Sequence, residues 1–314
     1  MNALELINFG TKKLRQKKIN TSILDSELIL SKILKKRREE ILINLDKQIC
    51  QKYSTKYKNL IQRRARQEPI AYIMEEKEFW SKKFFVSQDT LIPRPETELI
   101  VEKLYKIFKG KKISVLDIGT GTGCILISLL SELKNSNGVG IDISKKALII
   151  AKKNLKKHLM QTKIKFLNKS LDSFFYQKFD LIVSNPPYIK SNAIKNLRGD
   201  IRKFEPRIAL DGGKDGLDVI KKIIYKTKYI LKVKGTLALE IGNKQFKKVS
   251  KILKKNNFKI EHIITDYKEN IRGIVSINLG NKWIIIEEEI LDLGSKRITS
   301  EEDLEQWIQT ILTV

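Results

Sequence analysis

From Lys112 onward the chain alternates short apolar runs with helical patterns, and this alternation limits the possible folds more than any other feature. Apolar runs stand at 113–118, 139–143, 164–167, 179–183, 236–241, 259–264 and 274–278. Helical spacing fills 123–134, 144–158, 215–232 and 244–255 between them. Strands separated by helices pair in parallel through crossovers, so a mostly parallel sheet with helices on both faces is expected. Seven strands behind a glycine-rich first turn predict a Rossmann-like, doubly wound α/β domain.

The flanks read differently. Residues 1–75 carry only helical patterns. Ser22-Ile23-Leu24-Asp25 has the form of a capping box, opening a run with Leu24, Leu28, Ile29 and Ile33 at helical spacing. Ile49, Tyr53, Tyr57, Leu60 and Ile61 repeat that pattern before the basic stretch Arg63-Arg64-Ala65-Arg66. Short helices of this kind cannot each bury an apolar stripe alone, which predicts a small bundle. Glu78-Phe79-Trp80 and Phe84-Phe85-Val86, split by Ser81-Lys82-Lys83, predict a β-hairpin linker over 76–95. Pro93 and Pro95 punctuate its end, and a helix resumes from Glu96 into the α/β domain, 96–281. Residues 282–314 change sign, with eight acidic and three basic side chains, and form a separate extension to which no role is assigned. Within it, Trp283 to Ile290 reads as a strand, and Ser300 caps a helix with Leu304, Trp307, Ile308 and Ile311 on one face.

A formal net charge of +26 suggests a nucleic-acid partner. Lysine outnumbers arginine 50 to 12, however, and Lys, Ile and Asn share A/T-rich codons, so composition and solvated helix faces account for much of it. What remains is a long-range field that favours an acidic partner. Cys50 and Cys124 lie too far apart in sequence to suggest a disulfide framework or a zinc site. No apolar run reaches the roughly 18 residues of a membrane span. The opening MNALELINFGTKKLRQKK lacks the pattern of a secretory signal, so a reducing cytoplasm is expected.

Val115-Leu116-Asp117-Ile118 runs into Gly119-Thr120-Gly121-Thr122-Gly123, a strand that must turn sharply while its backbone approaches a ligand. The spacing is G-x-G-x-G, and Cys124 stands where a dinucleotide fingerprint calls for a later Gly or Ala. No Gly-Lys-Ser/Thr follows, which excludes a P-loop. Asp142 closes the next apolar run, where an acid can accept hydrogen bonds from both hydroxyls of a ribose. Its alternative role is a helix cap ahead of the run that starts at Ser144. Adenosine without pyrophosphate suits the turn and the acid together, and S-adenosylmethionine is such a ligand.

The strand ending at Ser184 leads into Asn185-Pro186-Pro187-Tyr188. Two prolines end the strand and stiffen the turn. They would present the Asn185 side chain and the Pro186 carbonyl as convergent acceptors at the sheet's carboxyl edge. Two acceptors suit an NH2 group on an sp2 carbon, whose lone pair can be turned toward an electrophilic methyl for in-line displacement. Tyr188 would wall the planar group. The competing reading is an ordinary Asn-Pro turn. His158 and His262 carry no motif around them, so no general base stands out.

Asn-Pro-Pro-Tyr occurs both in DNA amino-methyltransferases and in protein glutamine methyltransferases. Leu91-Ile92-Pro93-Arg94-Pro95-Glu96-Thr97-Glu98 closely resembles the signature of the HemK/PrmC family, the peptide chain release factor glutamine-N5 methyltransferases. Glu68-Pro69-Ile70-Ala71-Tyr72 and Phe204-Glu205-Pro206-Arg207-Ile208-Ala209-Leu210-Asp211-Gly212-Gly213 are similar to the same family. The sister family that acts on a ribosomal protein lacks Pro-Glu-Thr-Glu after the Pro-Arg pair. Four ordered motifs carry the resemblance, which spans residues 1–280.

The resemblance implies a seven-stranded class I methyltransferase domain with a small N-terminal helical bundle. It implies S-adenosylmethionine as cofactor and a release factor as protein substrate, methylated on the glutamine of a Gly-Gly-Gln loop. Carried over, Gly119, Thr120, Gly121, Thr122, Gly123 and Asp142 would hold the cofactor, with Ser170 on the adenine side. Asn185 would touch cofactor and substrate, Pro186, Pro187 and Tyr188 would frame the glutamine, and the bundle would grip the release factor. The chain departs from the family at Lys169, where an acid is usual, at Glu75, and at Asn257. Residues 282–314 have no counterpart there.

Two rival functions remain. An N6-adenine DNA methyltransferase would want a separate target-recognition domain, for which only the helical residues 1–75 are spare. A non-catalytic basic protein binding RNA or the ribosome would not need both the glycine turn and Asn-Pro-Pro-Tyr.

Overall fold

The computed structural model describes residues 1–174 and 177–280, so the strand and helix expected within 282–314 lie outside the described residues. Five helices come first: α1 (Ala3–Gln16), α2 (Ser22–Leu34), α3 (Arg38–Ile43), α4 (Gln51–Ala65) and α5 (Ile70–Met74). They share one apolar cluster that includes Leu6, Leu14, Ile29, Leu30, Tyr57 and Ile61. The capping box belongs to α1, where Asn2 Oδ1 accepts from the Glu5 amide and the Glu5 carboxylate accepts from the Asn2 amide. The box expected at Ser22–Asp25 is not formed. Ser22 is already helical, and Asp25 turns inward to take the Arg64 Nε at 2.7 Å. That buried pair rotates α2 so that Asp25, Ser26, Ile29 and Leu30 face the bundle, leaving Leu24 exposed against expectation. Gly10 permits the close approach, since a Cβ there would lie 2.1 Å from the Tyr57 hydroxyl.

A hairpin follows, β1 (Glu76–Phe79) paired antiparallel with β2 (Lys82–Phe85). Its turn is the pair Trp80-Ser81, both at φ +52, rather than the three residues expected at 81–83. Positive φ at both positions gives the turn whose twist matches the strands. The chain then enters α6 (Pro95–Phe108), with Pro95 in the first turn, where a missing N–H costs nothing.

The α/β unit runs β3 (Ser114–Ile118), α7 (Cys124–Glu132), β4 (Asn137–Asp142), α8 (Lys145–Lys157), β5 (Ile164–Asn168), β6 (Phe179–Ser184), α9 (Gly199–Phe204), α10 (Asp218–Ile230), β7 (Leu231–Glu240), α11 (Phe246–Lys255), β8 (Phe258–Thr265) and β9 (Ile271–Asn278). The seven strands lie in the order β5-β4-β3-β6-β7-β9-β8, parallel except for β9, which is antiparallel to both neighbours. β7 starts at Leu231, ahead of the run expected from 236. Side chains alternate between faces, as the pleat requires. Val115, Leu181, Val183 and Ala238 join the cluster under α6, α7 and α8. Leu116, Ile182, Leu237 and Leu239 join the one under α10 and α11. The order reverses at β3, whose neighbours β4 and β6 receive crossovers on opposite faces, and a crevice opens at their carboxyl ends.

Asn154 on α8 ties the hairpin to this unit. Its side chain accepts from the Phe85 amide at 2.7 Å and donates to the carbonyls of Phe85 and Thr122 at 3.0 and 2.9 Å. Asn154→Ala would leave several buried backbone groups unpaired and should lower the unfolding free energy by about 2–4 kcal/mol. Urea denaturation checks this; an unchanged midpoint would mean that other contacts hold the hairpin.

Candidate active site

The crevice is a cavity of about 640 Å³, within the usual range for a small-ligand site. One wall is the turn after β3. The Gly119 and Thr120 amides both donate to the Ile141 carbonyl, at 2.9 and 3.0 Å, which folds the turn back against β4. Gly119 has φ +73, and a Cβ there would meet nothing within 4 Å, projecting instead into the open crevice. Gly123 serves the fold differently. It caps α7 at φ +78, and a Cβ would strike Phe166 at 2.8 Å.

Asp142 stands at the tip of β4 and lines the cavity, but it is not the cap of the following helix. Its Oδ2 accepts from the Gly121 amide at 2.9 Å and its Oδ1 from the Ser144 amide at 2.8 Å, while Ser144, not Asp142, caps α8. The carboxylate is also half-exposed on the cavity wall, with lone pairs to spare for two hydroxyls. Burial raises its pKa, against the pull of the backbone donors. Beneath the turn, Asp117 accepts from the Thr120 hydroxyl at 2.6 Å, and complete burial lifts it to about 7. Ile143 flanks the same wall. Lys169, Ser170 and Leu171 line the far end, where Asp172 is engaged by Lys222.

Asn185 and Pro187, just past the end of β6 beside β3, line the same cavity. The Asn185 Nδ2 donates to the Thr97 hydroxyl at 3.2 Å, and Thr97 donates to Glu240 Oε2 at 2.6 Å. Pro186 and Tyr188 do not line it. Tyr188 was expected as a wall, but its ring packs against the core beside α10 and α11, and its hydroxyl donates to Glu240 Oε1 at 3.3 Å. Burial and that carboxylate push the Tyr188 pKa up. The crevice thus gathers Gly119, Thr120, Gly121, Thr122, Asp142, Ser170, Asn185 and Pro187 on one surface, and leaves Gly123, Pro186 and Tyr188 behind it.

The segment after α9 forms the rim of the cavity, which Pro206, Ile208 and Asp211 line. Ile189 bridges in parallel to Asp211, and the Ile189 amide donates to the Leu210 carbonyl at 3.0 Å. Arg94 Nη2 reaches both oxygens of buried Glu205, at 2.6 and 2.8 Å. Burial raises the Glu205 pKa, and Arg94 opposes that rise. Neither Arg94 nor Glu205 stood out as a site residue in the sequence, although both lie in motifs noted there. Arg94→Ala would strand a buried carboxylate and should cost about 2–4 kcal/mol, somewhat less for partial exposure of the arginine. Hydrogen exchange should quicken at the Ile189 and Gly212 amides; unchanged protection there would show that the pair does not hold the segment.

The family model "PrmC N-terminal domain" matches residues 5–74, and "Methyltransferase small domain" matches residues 93–200. The chain is 39% identical over 291 residues to the release factor glutamine methyltransferase of Buchnera aphidicola from Acyrthosiphon pisum, covering 90% of this chain and 99% of that one. It is 36% identical over 300 residues to the release factor glutamine methyltransferase of Fusobacterium nucleatum, covering 93% and 84%. Against the bifunctional methyltransferase of Rickettsia typhi it is 35% identical, over 89% of this chain but only 58% of the relative, so it spans little more than half of that protein. Two solved structures share the fold at 17% identity. They are the hMettl16 catalytic domain, with TM-score 0.52 over 71% of this chain and 82% of that one, and a methyltransferase from Pyrococcus furiosus, with TM-score 0.50 over 70% and 99%.

Proposed function

This chain belongs to the release factor glutamine methyltransferase family, and from that membership we infer that it methylates the side-chain amide nitrogen (N5) of a glutamine in a translation release factor. The glutamine of a Gly-Gly-Gln loop is the proposed acceptor. The observation that carries the reading is spatial. The glycine turn, Asp142 and Asn185 line one cavity, so a methyl donor and an amide acceptor would meet there.

The residues present fit S-adenosylmethionine. The space beside Gly119, the spare lone pairs of Asp142 and the half-buried Ser170 suit its amino-acid arm, ribose and adenine end respectively. Gly119, Thr120, Gly121 and Thr122 would hold it, with Gly123 setting the turn's exit into α7. When bound, the cofactor supplies an electrophilic methyl on a positively charged sulfur.

Asn185 would accept a hydrogen of the glutamine NH2 and help turn the nitrogen lone pair toward the methyl, whereas Pro186, expected to offer its carbonyl as the second acceptor, does not line the cavity. Pro187 would frame the amide plane, and Tyr188 would act from behind by bracing the loop. Neither histidine lines the cavity: His158 faces the Lys83 carbonyl of the hairpin, and His262 lies in β8. The proton would therefore leave for water once the nitrogen has been methylated and made acidic. Helices α1–α5, residues 1–75, would grip the release factor. No helix among the described residues is long and apolar enough to cross a membrane, and the cytoplasm is the proposed location.

Asn185→Ala should abolish transfer while leaving cofactor affinity largely intact. Asp142→Ala should weaken cofactor binding by roughly 1.5–3 kcal/mol, the range for hydrogen bonds to a charged group. Calorimetry with S-adenosylmethionine separates the two roles; the opposite pattern would mean they had been exchanged.

A decisive trial incubates the protein with S-adenosylmethionine and either a folded release factor or a short peptide bearing its Gly-Gly-Gln loop. Mass spectrometry should find one added methyl on the glutamine, and far faster on the folded factor, because a short loop offers little contact area. The association rate should fall as salt rises if the factor is acidic. Equal methylation of duplex DNA would favour the nucleic-acid reading instead.

A further inference from the structure

We infer that Thr97 and Glu240 are positioning residues that fix the direction of the Asn185 carboxamide, so that its oxygen and not its nitrogen faces the acceptor. The inference rests on the proposed role of Asn185 in holding the substrate amide. A carboxamide is nearly symmetric in shape, and nothing in the covalent structure of Asn185 decides which end points into the cavity. Its neighbours decide. Thr97 and Glu240 are 2% and 3% exposed, so water cannot stand in for either partner. The Thr97 hydroxyl has one proton, and at 2.6 Å from Glu240 Oε2 that proton is committed to the carboxylate. Only lone pairs remain on the threonine oxygen, and the Asn185 atom 3.2 Å away must therefore be a donor, Nδ2.

With Nδ2 spent on Thr97, Oδ1 is left for the cavity as an acceptor. The reversed carboxamide would set oxygen against oxygen at Thr97 and offer an NH2 to the substrate's own NH2. Such a site would repel the group it has to hold. Glu240 secures the other end of the same loop, since its second oxygen takes the Tyr188 hydroxyl. One carboxylate at the end of β7 thereby orients both ends of Asn-Pro-Pro-Tyr, one through Thr97 in the first turn of α6 and one directly. Deletion of the threonine methyl would leave this wiring intact, whereas deletion of the hydroxyl would break it.

The wiring depends on an ionised Glu240. A protonated carboxyl can donate to Thr97, and the hydroxyl then no longer has to point its proton away from Asn185. Glu240 faces Thr97 and Glu96 on α6, Tyr188 after β6, Cys124 on α7 and Arg272 on β9. Burial, aided by Glu96 and opposed by the two hydroxyl donors and Arg272, raises its pKa to about 7. Arg272 is itself engaged by Asp266 at 2.8 Å. The sign follows: as pH falls through about 7, Glu240 takes up a proton and the orientation of Asn185 is released.

The test compares Thr97→Val, Thr97→Ser and Glu240→Gln in the full chain, with a folded release factor and S-adenosylmethionine. Thr97→Val should lower kcat about a hundredfold, with cofactor Kd and the KM for release factor changed less than about threefold. Thr97→Ser, which keeps the hydroxyl, should recover kcat to within about fivefold of the parent. Glu240→Gln, like the protonated acid, carries a donor as well as an acceptor and cannot ionise, so its kcat should sit at the parent's low-pH level and stay flat between about pH 6 and pH 8, where the parent declines on acidification.

Equal losses in Thr97→Val and Thr97→Ser, or a Glu240→Gln profile that keeps the parent's decline, would overturn the inference. The pH profile stands even if Thr97→Val fails to fold, which thermal unfolding would reveal. A parent protein that leaves the release factor unmethylated would instead sink the proposed function, a result distinguishable from either of those.

Discussion

At the carboxyl edge of the sheet, the loops are anchored by carboxylates, of which Asp117, Glu205 and Glu240 have been taken out of water. Parallel strands deliver their ends to one edge, and the turns beyond them carry N–H and O–H groups that no neighbouring strand can satisfy. Asp117, Asp142 and Glu240, at or near the ends of β3, β4 and β7, accept those protons from Thr120, from Gly121 and Ser144, and from Thr97 and Tyr188. Glu205 and Asp211 do the same at the rim, for Arg94 and for Ser191 and Gly213. A buried carboxylate is costly unless its oxygens are bonded, and a tight loop is costly unless its donors are. Each condition is met by the other, so the shape of the crevice and the burial of its acids stand or fall together. The raised pKa values of Asp117 and Glu240, both about 7, mark what desolvation costs.

What could be read in advance was written in contiguous residues. The alternation of strands and helices, the glycine turn with its following acid, and Asn185 before two prolines each show a local pattern, and the structure brings them together in one crevice. What could not be read depends on partners far apart in the chain. Glu240 ends an apolar run without any local mark, and Thr97 lies 143 positions before it. Tyr188 looked like a substrate wall because aromatic rings often are, but its hydroxyl finds Glu240 and turns the ring inward. Leu24 fits an apolar stripe, yet the Asp25–Arg64 pair rotates the helix and leaves Leu24 in solvent. β7 begins among Lys232 and Lys234, charged residues that hide a strand from any hydrophobic count. Its backbone pairs regardless, and Lys232 finds Asp180 at 2.8 Å.

The motifs that stand apart in sequence form one physical assembly. Ala71 and Tyr72 of the first, Ile92 of the second and Phe204 of the last pack in a single small cluster with Val86 of the hairpin segment. The Tyr72 hydroxyl donates to the Thr90 carbonyl at 2.7 Å, and burial beside Glu205 drives its pKa up. Two residues three positions apart in the second motif then divide the work. Arg94 goes to Glu205 at the rim, and Thr97 goes to Glu240 and Asn185 inside. On the near side, Glu68 takes Arg63 at 2.8 Å, and its carbonyl takes Arg64, the same arginine that holds Asp25 in the bundle. A continuous path of bonded and packed side chains therefore runs from the helical bundle along the cavity rim to the Asn185–Tyr188 loop. A bundle joined loosely would leave a gripped protein free to present its loop at many angles. Joined in this way, the path holds the angle between bundle and crevice, as the proposed grip on a protein substrate and delivery of its glutamine to Asn185 would require.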